Sequence, residues 1–292
     1  MNILGLIGSP RRRGNCELLT KQIFRSLPGE HQLSLLRLAD CDIRPCRGCY
    51  SCLFEDMTCP QHDDLPFILQ ALSDADALIV TVPTYFLGPN GLVKTLVDRG
   101  LALYGQAESI WGKPAVGAAL AGIPGREGFA LLGVENFLHV LLAEVKATQV
   151  FYGALPGEVL LDDENLVTAT AMAKALLEPK PAAQEPCCPV CGGKTIRFLE
   201  HKRVRCMLCS TSARLSAEDG TIRLRLDDSS RPAIFADRQA AMEHLDWLRN
   251  MVASYRQRRS ELKVVQRGLR GVGRPLGRQQ ADGSDSGADG GD

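Results

Sequence analysis

The fold is decided by residues 2–19, which read NILGLIGSPRRRGNCELL. Residues 2–7 are a short apolar run, residues 8–10 contain glycine and proline, and residues 14–19 have the pattern of a helix start. This order predicts a strand, a loop and a helix, the first half of a β-α-β unit. Small and hydroxyl-bearing residues let backbone amides converge on an anion at a helix N-terminus, so the loop is expected to bind a phosphate. An ordinary strand-to-helix turn capped by Asn15 is the alternative interpretation.

The alternation of strand and helix continues along the chain. Further strands are predicted at residues 33–38, 77–83, 115–121 and 148–153, and helices at 64–75, 91–103, 128–145 and 165–177. The strands are rich in Val, Ile, Leu and Ala without polar alternation, which favours a parallel sheet covered on both faces. We therefore expect a doubly wound, five-stranded parallel α/β domain over residues 1–178.

After residue 178 the composition of the chain changes several times, which indicates separate segments. Residues 179–186 contain three prolines and predict a stiff linker. Short strand patterns at 195–200, 203–207, 213–215 and 221–226, with a hairpin signal at Asp219-Gly220, predict a small β-ribbon module over 187–228. Residues 229–267 carry one amphipathic helix, and the polar, glycine-rich residues 268–292 are expected to be disordered.

Composition narrows the classes of function. The chain has 292 residues and 45% apolar content, with 34 basic residues against 34 acidic ones, so no global field favours nucleic acid or an anionic membrane. No secretory signal and no membrane-length apolar run is visible. Eight of the 11 cysteines fall into two compact quartets, which suits metal ligands in a reducing compartment. We expect a cytoplasmic protein.

The first quartet has the spacing Cys-x2-Cys-x2-Cys-x6-Cys and precedes Asp63-Asp64. Thiolates are soft ligands that select iron-sulfur clusters or zinc, so this spacing indicates a metal-containing redox protein. The ligand candidates of the first quartet are Cys46, Cys49, Cys52 and Cys59.

The second quartet consists of two Cys-x2-Cys pairs separated by 14 residues, on segments predicted to be β-hairpins. This pattern favours a tetrahedral four-thiolate zinc site of the ribbon type, although iron in a rubredoxin-like site is an alternative. The ligand candidates of the second quartet are Cys188, Cys191, Cys206 and Cys209.

Three motifs resemble the flavodoxin-like family of NAD(P)H-dependent FMN reductases. The first loop matches the family pattern Gly-Ser-x-Arg-x-x-Gly-Asn-Ser/Thr, except that Cys16 replaces the final hydroxyl residue. Pro83-Thr84-Tyr85 matches Pro-x-Tyr, and residues 94–99 match Lys-x-x-x-Asp-Arg. The helix N-terminus is expected to lower the pKa of the Cys16 thiol.

The resemblance covers residues 1–178 and implies bound FMN reduced by NAD(P)H. The flavin carries the chemistry, so no separate catalytic residue is expected. The residues implied to contact FMN are Ser9, Arg11, Gly14, Asn15, Cys16, Pro83, Thr84, Tyr85, Phe86, Gly122 and Gly125.

The first quartet, with Asp63-Asp64 after it, resembles the iron-sulfur flavoprotein branch of the same family. This implies a 4Fe-4S cluster, whereas other relatives retain such cysteines for packing or as a thiol/disulfide switch. Both alternatives stay open on the sequence.

The leading hypothesis is an FMN-dependent oxidoreductase that passes electrons to a quinone, a metal centre or a protein acceptor. A second is an electron carrier reduced by ferredoxin, and a third is a zinc-ribbon module contacting protein or nucleic acid, of which nucleic acid is the least favoured partner. The resemblance implies a homodimer or homotetramer, with Tyr104, Trp111 and residues 125–129 as interface candidates. No membrane partner is expected.

Overall fold

A computed structural model describes residues 1–54, 56–180, 182–218, 220–227, 233–270 and 272–273. Residue 181 of the expected linker, Asp219 of the expected hairpin, residues 228–232 and most of the expected tail at 268–292 lie outside these described residues. The chain divides into two units, residues 1–249 and residues 250–292.

The first unit is built on a mainly parallel sheet. Its strands are β1 (Asn2–Ile7), β2 (Gln32–Arg37), β3 (Ala77–Tyr85), β4 (Gly88–Pro89), β5 (Pro114–Ala121) and β6 (Glu144–Tyr152). The five long strands are parallel in the order β2-β1-β3-β5-β6, and the short β4 pairs with β3 in the antiparallel sense. The doubly wound, flavodoxin-like α/β fold expected from the sequence is confirmed.

Helices cover both faces of this sheet. They are α1 (Asn15–Arg25), α2 (Leu65–Asp74), α3 (Gly91–Asp98), α4 (Ala107–Ile110), α5 (Ala130–Val140) and α6 (Asp163–Leu177). Successive side chains of a strand point to opposite faces, so Leu4 and Leu6 enter one apolar core while Ile3 and Ile7 enter the other. Helices α2, α3 and α5 close the first core, and α1 and α6 close the second. Each fully buried aliphatic side chain stabilises this arrangement by about 1.5–3 kcal/mol.

A small antiparallel sheet follows the α/β domain. Its strands are β7 (Ile196–Phe198), β8 (Arg203–Cys206), β9 (Ser212–Glu218) and β10 (Thr221–Leu226), in the order β10-β9-β8-β7. Buried Val204, Ala213 and Leu224 form its small core. Because so few apolar residues are buried here, this ribbon depends on a further source of stability.

Two helices end the described chain, α7 (Arg238–Gln257) and α8 (Arg259–Gly268). Within the first unit, the start of α7 is buried at Ala241, Leu245 and Leu248, and the Tyr104 hydroxyl donates a 2.9 Å hydrogen bond to the carbonyl of Ala241. Tyr104 packs edge-on against Trp111, and the Arg238 guanidinium lies 5.8 Å from the centre of the Trp111 ring. Tyr104, one of the interface candidates, is thus covered by this chain's own helix.

Helices within the described residues all fall short, in length or in apolar content, of what crossing a bilayer requires.

Candidate flavin and metal sites

A cavity of about 320 Å³ opens at the carboxyl ends of β1, β3, β5 and β6. This edge of an open parallel sheet is where ligands bind in doubly wound folds, because the loops of neighbouring strands converge there. The lining residues are Ser9, Arg11, Gly14, Asn15, Cys16, Pro83, Thr84, Tyr85, Leu120, Gly122, Gly153, Ala154 and Pro156.

The N-terminus of α1 contributes the polar end of this cavity. Gly14 precedes the helix without a side-chain cap, so the first-turn amides have no partner within the helix. The Asn15 side chain donates to the carbonyl of Gly153 at 2.8 Å and accepts from the amide of Gly157 at 2.7 Å. Asn15 therefore ties the first loop to the loop after β6, leaving the helix amides and the helix dipole for an anion.

The segment at the end of β3 forms another wall. Thr84 Oγ1 is buried and has no hydrogen-bond partner among the described residues, although Thr84 lines the cavity. A buried hydroxyl without a partner is costly, so this group fits a ligand that completes its bonding. Tyr85, which is 43% exposed, adds an aromatic surface. An anion site, an unpartnered hydroxyl and an aromatic wall together fit a flavin mononucleotide.

Nine of the 11 residues predicted to contact FMN line this one cavity. Phe86 and Gly125 are not among its lining residues. Phe86 is fully exposed at the turn between β3 and β4, and Gly125 donates its amide to the Tyr152 hydroxyl at 3.4 Å. Leu120 and the segment from Gly153 to Pro156 also line the cavity but were not predicted from the sequence. The general rule that strand carboxyl ends bind ligands could have indicated the latter, since it directly follows β6.

The expected pKa shift of the Cys16 thiol is in the wrong direction. The thiol was expected to have a low pKa at the helix N-terminus, but the side chain is only 2% exposed and burial raises the pKa to about 12. Hydrogen bonds with Ser9 and Thr81 offset only part of this effect. The neutral thiol is therefore the form present at physiological pH.

We expect Cys16 to resist alkylation in the native protein. At pH 8, a pKa near 12 rather than 9 reduces the thiolate fraction roughly 1000-fold, and burial restricts access further. Mass spectrometry after iodoacetamide treatment should find Cys16 unmodified in the native protein and modified in urea. The folded-state pKa of the Cys16 thiol is raised. The contribution of this thiol to the free energy of unfolding is therefore complete below about pH 9 and is lost as the pH rises toward 12. Rapid native alkylation would contradict this burial.

The first quartet lies in the loop between β2 and α2. Cys46 and Cys49 are exposed, and Cys52 and Cys59 are partly buried. Gly48, with a φ of 65°, allows the tight turn between the first two cysteines. Three of the four sulfurs lie next to donors: the Gly48 amide is 3.4 Å from Cys46, the Ser51 hydroxyl 3.5 Å from Cys49, and Arg99 Nη2 3.1 Å from Cys59. Such donors suit sulfurs that carry negative charge, as cluster ligands do.

A buried ion pair between Arg99 and Asp63 contacts the loop that carries the first quartet. The side chains of Arg99 and Asp63 are 1% and 0% exposed, and Arg99 Nη1 lies 2.5 Å from Asp63 Oδ2. Burial alone would raise the pKa of Asp63, but hydrogen bonds from Arg99 and from the amides of Arg44 and Leu65 outweigh it and hold the pKa below its usual value.

The second quartet has the geometry of a single-ion site. Among the described residues, it is the only group of at least three potential ligands whose ligand atoms all lie within 4.8 Å of one another. The sulfurs of Cys188 and Cys209 are 3.6 Å apart, as are those of Cys191 and Cys206. A tetrahedral ion with metal–sulfur bonds of about 2.3 Å requires sulfurs about 3.8 Å apart, so the quartet fits zinc or iron.

Comparison with known proteins identifies the family. The sequence model of the family described as NADPH-dependent FMN reductase matches residues 1–155. The chain belongs to this family. It is an FMN-dependent oxidoreductase, and the cavity at the carboxyl edge of its sheet lies entirely within or directly after the matched residues.

Individual FMN reductase relatives extend the comparison. An iron-sulfur flavoprotein of Methanocaldococcus jannaschii is 32% identical over 192 residues, covering 61% of this chain and 96% of the relative. An iron-sulfur flavoprotein of Methanosarcina thermophila is 25% identical over 183 residues, covering 61% of this chain and 94% of the relative. A solved structure of a flavone reductase has a TM-score of 0.67 at 17% identity, covering 94% of this chain and 100% of that one. The fold similarity to this structure thus extends beyond the part matched by the two flavoproteins.

Proposed function

We propose that this FMN reductase homologue takes hydride from NAD(P)H onto FMN and passes the electrons to a small-molecule or protein acceptor. The observation that carries the proposal is the cavity at the carboxyl edge of the sheet. It combines the uncapped N-terminus of α1 with the hydroxyl of Thr84, for which the described part of the chain offers no hydrogen-bond partner. When bound, FMN supplies the exchange between two-electron and one-electron chemistry.

The chain's own residues bind and orient the cofactor in this proposal. Ser9, Arg11 and the first turn of α1 hold the phosphate, because backbone amides and a cation converge there. Pro83, Thr84 and Tyr85 would hold the flavin ring. Gly122 also lines the cavity and has no side chain, so it would leave space for the ring and for a nicotinamide or an acceptor.

Two metal centres complete the proposal. The first quartet would hold a 4Fe-4S cluster, supported by the donors beside its sulfurs and by the name iron-sulfur flavoprotein of two relatives. The second quartet would hold zinc. Its position favours a structural ion, because its cavity is shared with the amino-terminal half of β6, away from the flavin edge.

Cofactor analysis with a hydride assay tests this function. Protein purified anaerobically should contain FMN, iron with an equal amount of acid-labile sulfide, and zinc. It should oxidise NADH or NADPH when a quinone or ferric complex is added. FMN without nicotinamide oxidation under any of these conditions would contradict the proposed donor.

Replacing Asn15 by aspartate should weaken FMN binding. The Asn15→Asp side chain keeps its size but cannot donate to the Gly153 carbonyl, and its charge repels the phosphate. We expect a loss of about 1–3 kcal/mol, or roughly 5- to 150-fold in the FMN dissociation constant measured by fluorescence titration of the apoprotein. The control is Asn250→Asp, at an exposed position of α7. Unchanged affinity in Asn15→Asp would contradict the assigned phosphate end.

The exposure of the first quartet favours a second candidate function. Cys46 and Cys49 lie at the protein surface, where a cluster could exchange electrons with another protein. In this alternative the protein is an electron carrier reduced by ferredoxin, without nicotinamide turnover. Rapid reduction by ferredoxin together with inertness toward NADH and NADPH would select it over the leading proposal.

A further inference from the structure

Arg99 is a charged side chain buried next to a cysteine of the first quartet. It directly follows α3, and its side chain is 1% exposed. Its Nη1 donates to the Arg44 carbonyl at 2.7 Å and to Asp63 at 2.5 Å, and its Nη2 lies 3.1 Å from Cys59 Sγ and 3.3 Å from Asp63. The guanidinium plane is therefore fixed by three different partners, one of which is a candidate cluster ligand.

This contact distinguishes Cys59 from the rest of the quartet. Cys46 and Cys49 lie beside donors from their own loop, the Gly48 amide and the Ser51 hydroxyl. The donor to Cys59 comes from a separate element and carries a full charge. Within the described part of the chain, no other cationic side chain is hydrogen-bonded to a sulfur of the first quartet.

We infer that Arg99 is a positioning residue that fixes Cys59 and raises the reduction potential of a cluster held by the first quartet. This inference rests on the proposed cluster. A cationic donor on a ligating sulfur stabilises the more negative, reduced form of a cluster, and hydrogen bonds to sulfur are an established determinant of cluster potential. Asp63 acts in the opposite direction, because its carboxylate partly neutralises the guanidinium.

Helix α3 links this residue to the flavin loops. At the start of α3, the side chain of Asn90 donates a hydrogen bond to the carbonyl of Gly8. The backbone amide of Asn90 donates a second hydrogen bond, of 3.2 Å, to the carbonyl of Pro83. At about 1.5 Å per residue, Asn90 and Arg99 are about 13 Å apart along the helix. One rigid element thus positions both the loops around FMN and the donor to Cys59.

The test compares the midpoint potential of the cluster in two variants, using spectroelectrochemistry on anaerobically purified protein. Arg99→Lys keeps a positive charge near Asp63, but a single ammonium cannot reproduce the planar contact with both groups. We expect a more negative potential. Asp63→Asn removes the opposing charge while Arg99 still reaches Cys59, so its potential should become more positive. Lys94→Gln, on the exposed face of α3, is the control and should match the wild type.

Iron, sulfide and FMN contents are measured on the same samples. Arg99→Lys protein that keeps FMN but loses iron would support the positioning of Cys59. If Arg99→Lys does not fold, the direction in which Asp63→Asn shifts the midpoint potential of the cluster still tests the inference. Full iron with unchanged potentials in both variants would overturn the inference and leave the cluster proposal standing. Wild-type protein that contains FMN but neither iron nor sulfide would overturn both the inference about Arg99 and the proposed cluster.

Discussion

Replacing Cys206 by serine is expected to release the metal ion of the second quartet and to unfold the β-ribbon. The ribbon buries few apolar residues, so we expect the proposed metal ion to supply most of its folding free energy. In zinc-finger peptides, binding of a structural zinc ion contributes roughly 10–16 kcal/mol at neutral pH. Metal analysis should find the ion lost, and limited proteolysis should cleave within residues 187–227 while the FMN domain stays intact.

Cys187→Ser is the matched control. Cys187 is buried and directly precedes the quartet, but it is not one of the four converging ligands. Its replacement should leave both the metal content and the protease resistance unchanged. Equal effects of the two substitutions would show that the ribbon is held by packing rather than by a metal.

Replacing Arg99 by methionine is expected to lower the free energy of unfolding by about 3–5 kcal/mol. The substitution leaves the Asp63 carboxylate buried without its cationic partner, and an uncompensated buried charge is strongly destabilising. Urea unfolding of the purified protein, followed by circular dichroism at pH 7, measures the difference.

Lys94→Met tests the same kind of change at the surface. Lys94 pairs with Asp98 on α3, but the two side chains are 66% and 45% exposed, so the expected loss is at most about 1 kcal/mol. Similar losses in the two variants would contradict the burial of the Arg99–Asp63 pair.

The effect of Arg99→Met should also depend on pH. The folded-state pKa of Asp63 is lowered, so the contribution of the carboxylate to stability is present above its usual pKa near 4 and is lost as the pH falls through the folded value. In the variant, the buried carboxyl takes up a proton at a higher pH. The gap between wild type and variant should therefore shrink under acidic conditions, and a constant gap from pH 7 to pH 3 would contradict this origin.

The sequence predicted the features that depend on neighbouring residues. Apolar residues predicted all five parallel strands. The apolar runs of β1, β3 and β5 are nearly continuous because these central strands are buried on both faces, whereas the edge strands β2 and β6 are mostly exposed or partly buried. The two Cys-x2-Cys pairs gave the second quartet, since each pair spans one tight turn. The glycines and hydroxyl groups between β1 and α1 likewise predicted one end of the candidate flavin cavity.

Features that depend on distant residues were not predicted. The contact of Arg99 with Cys59 could not be predicted, because nothing in the local pattern of Arg99 reveals that its side chain reaches a residue 40 positions earlier. Cys16 was assigned the wrong direction of pKa shift for a similar reason. The helix N-terminus is visible in the sequence, but the burial that dominates the pKa comes from the surrounding elements.

The bonds of Asn15 with Gly153 and Gly157 also bear on biosynthesis. They join residues 138 and 142 positions apart, so a ribosome must release nearly the whole α/β domain before the phosphate end can close. Contacts of such long range require closure of a long loop, which slows folding. Nascent chains that stop short of Gly153 should not retain FMN, and cofactor capture would mark completion of the domain and then stabilise it by mass action.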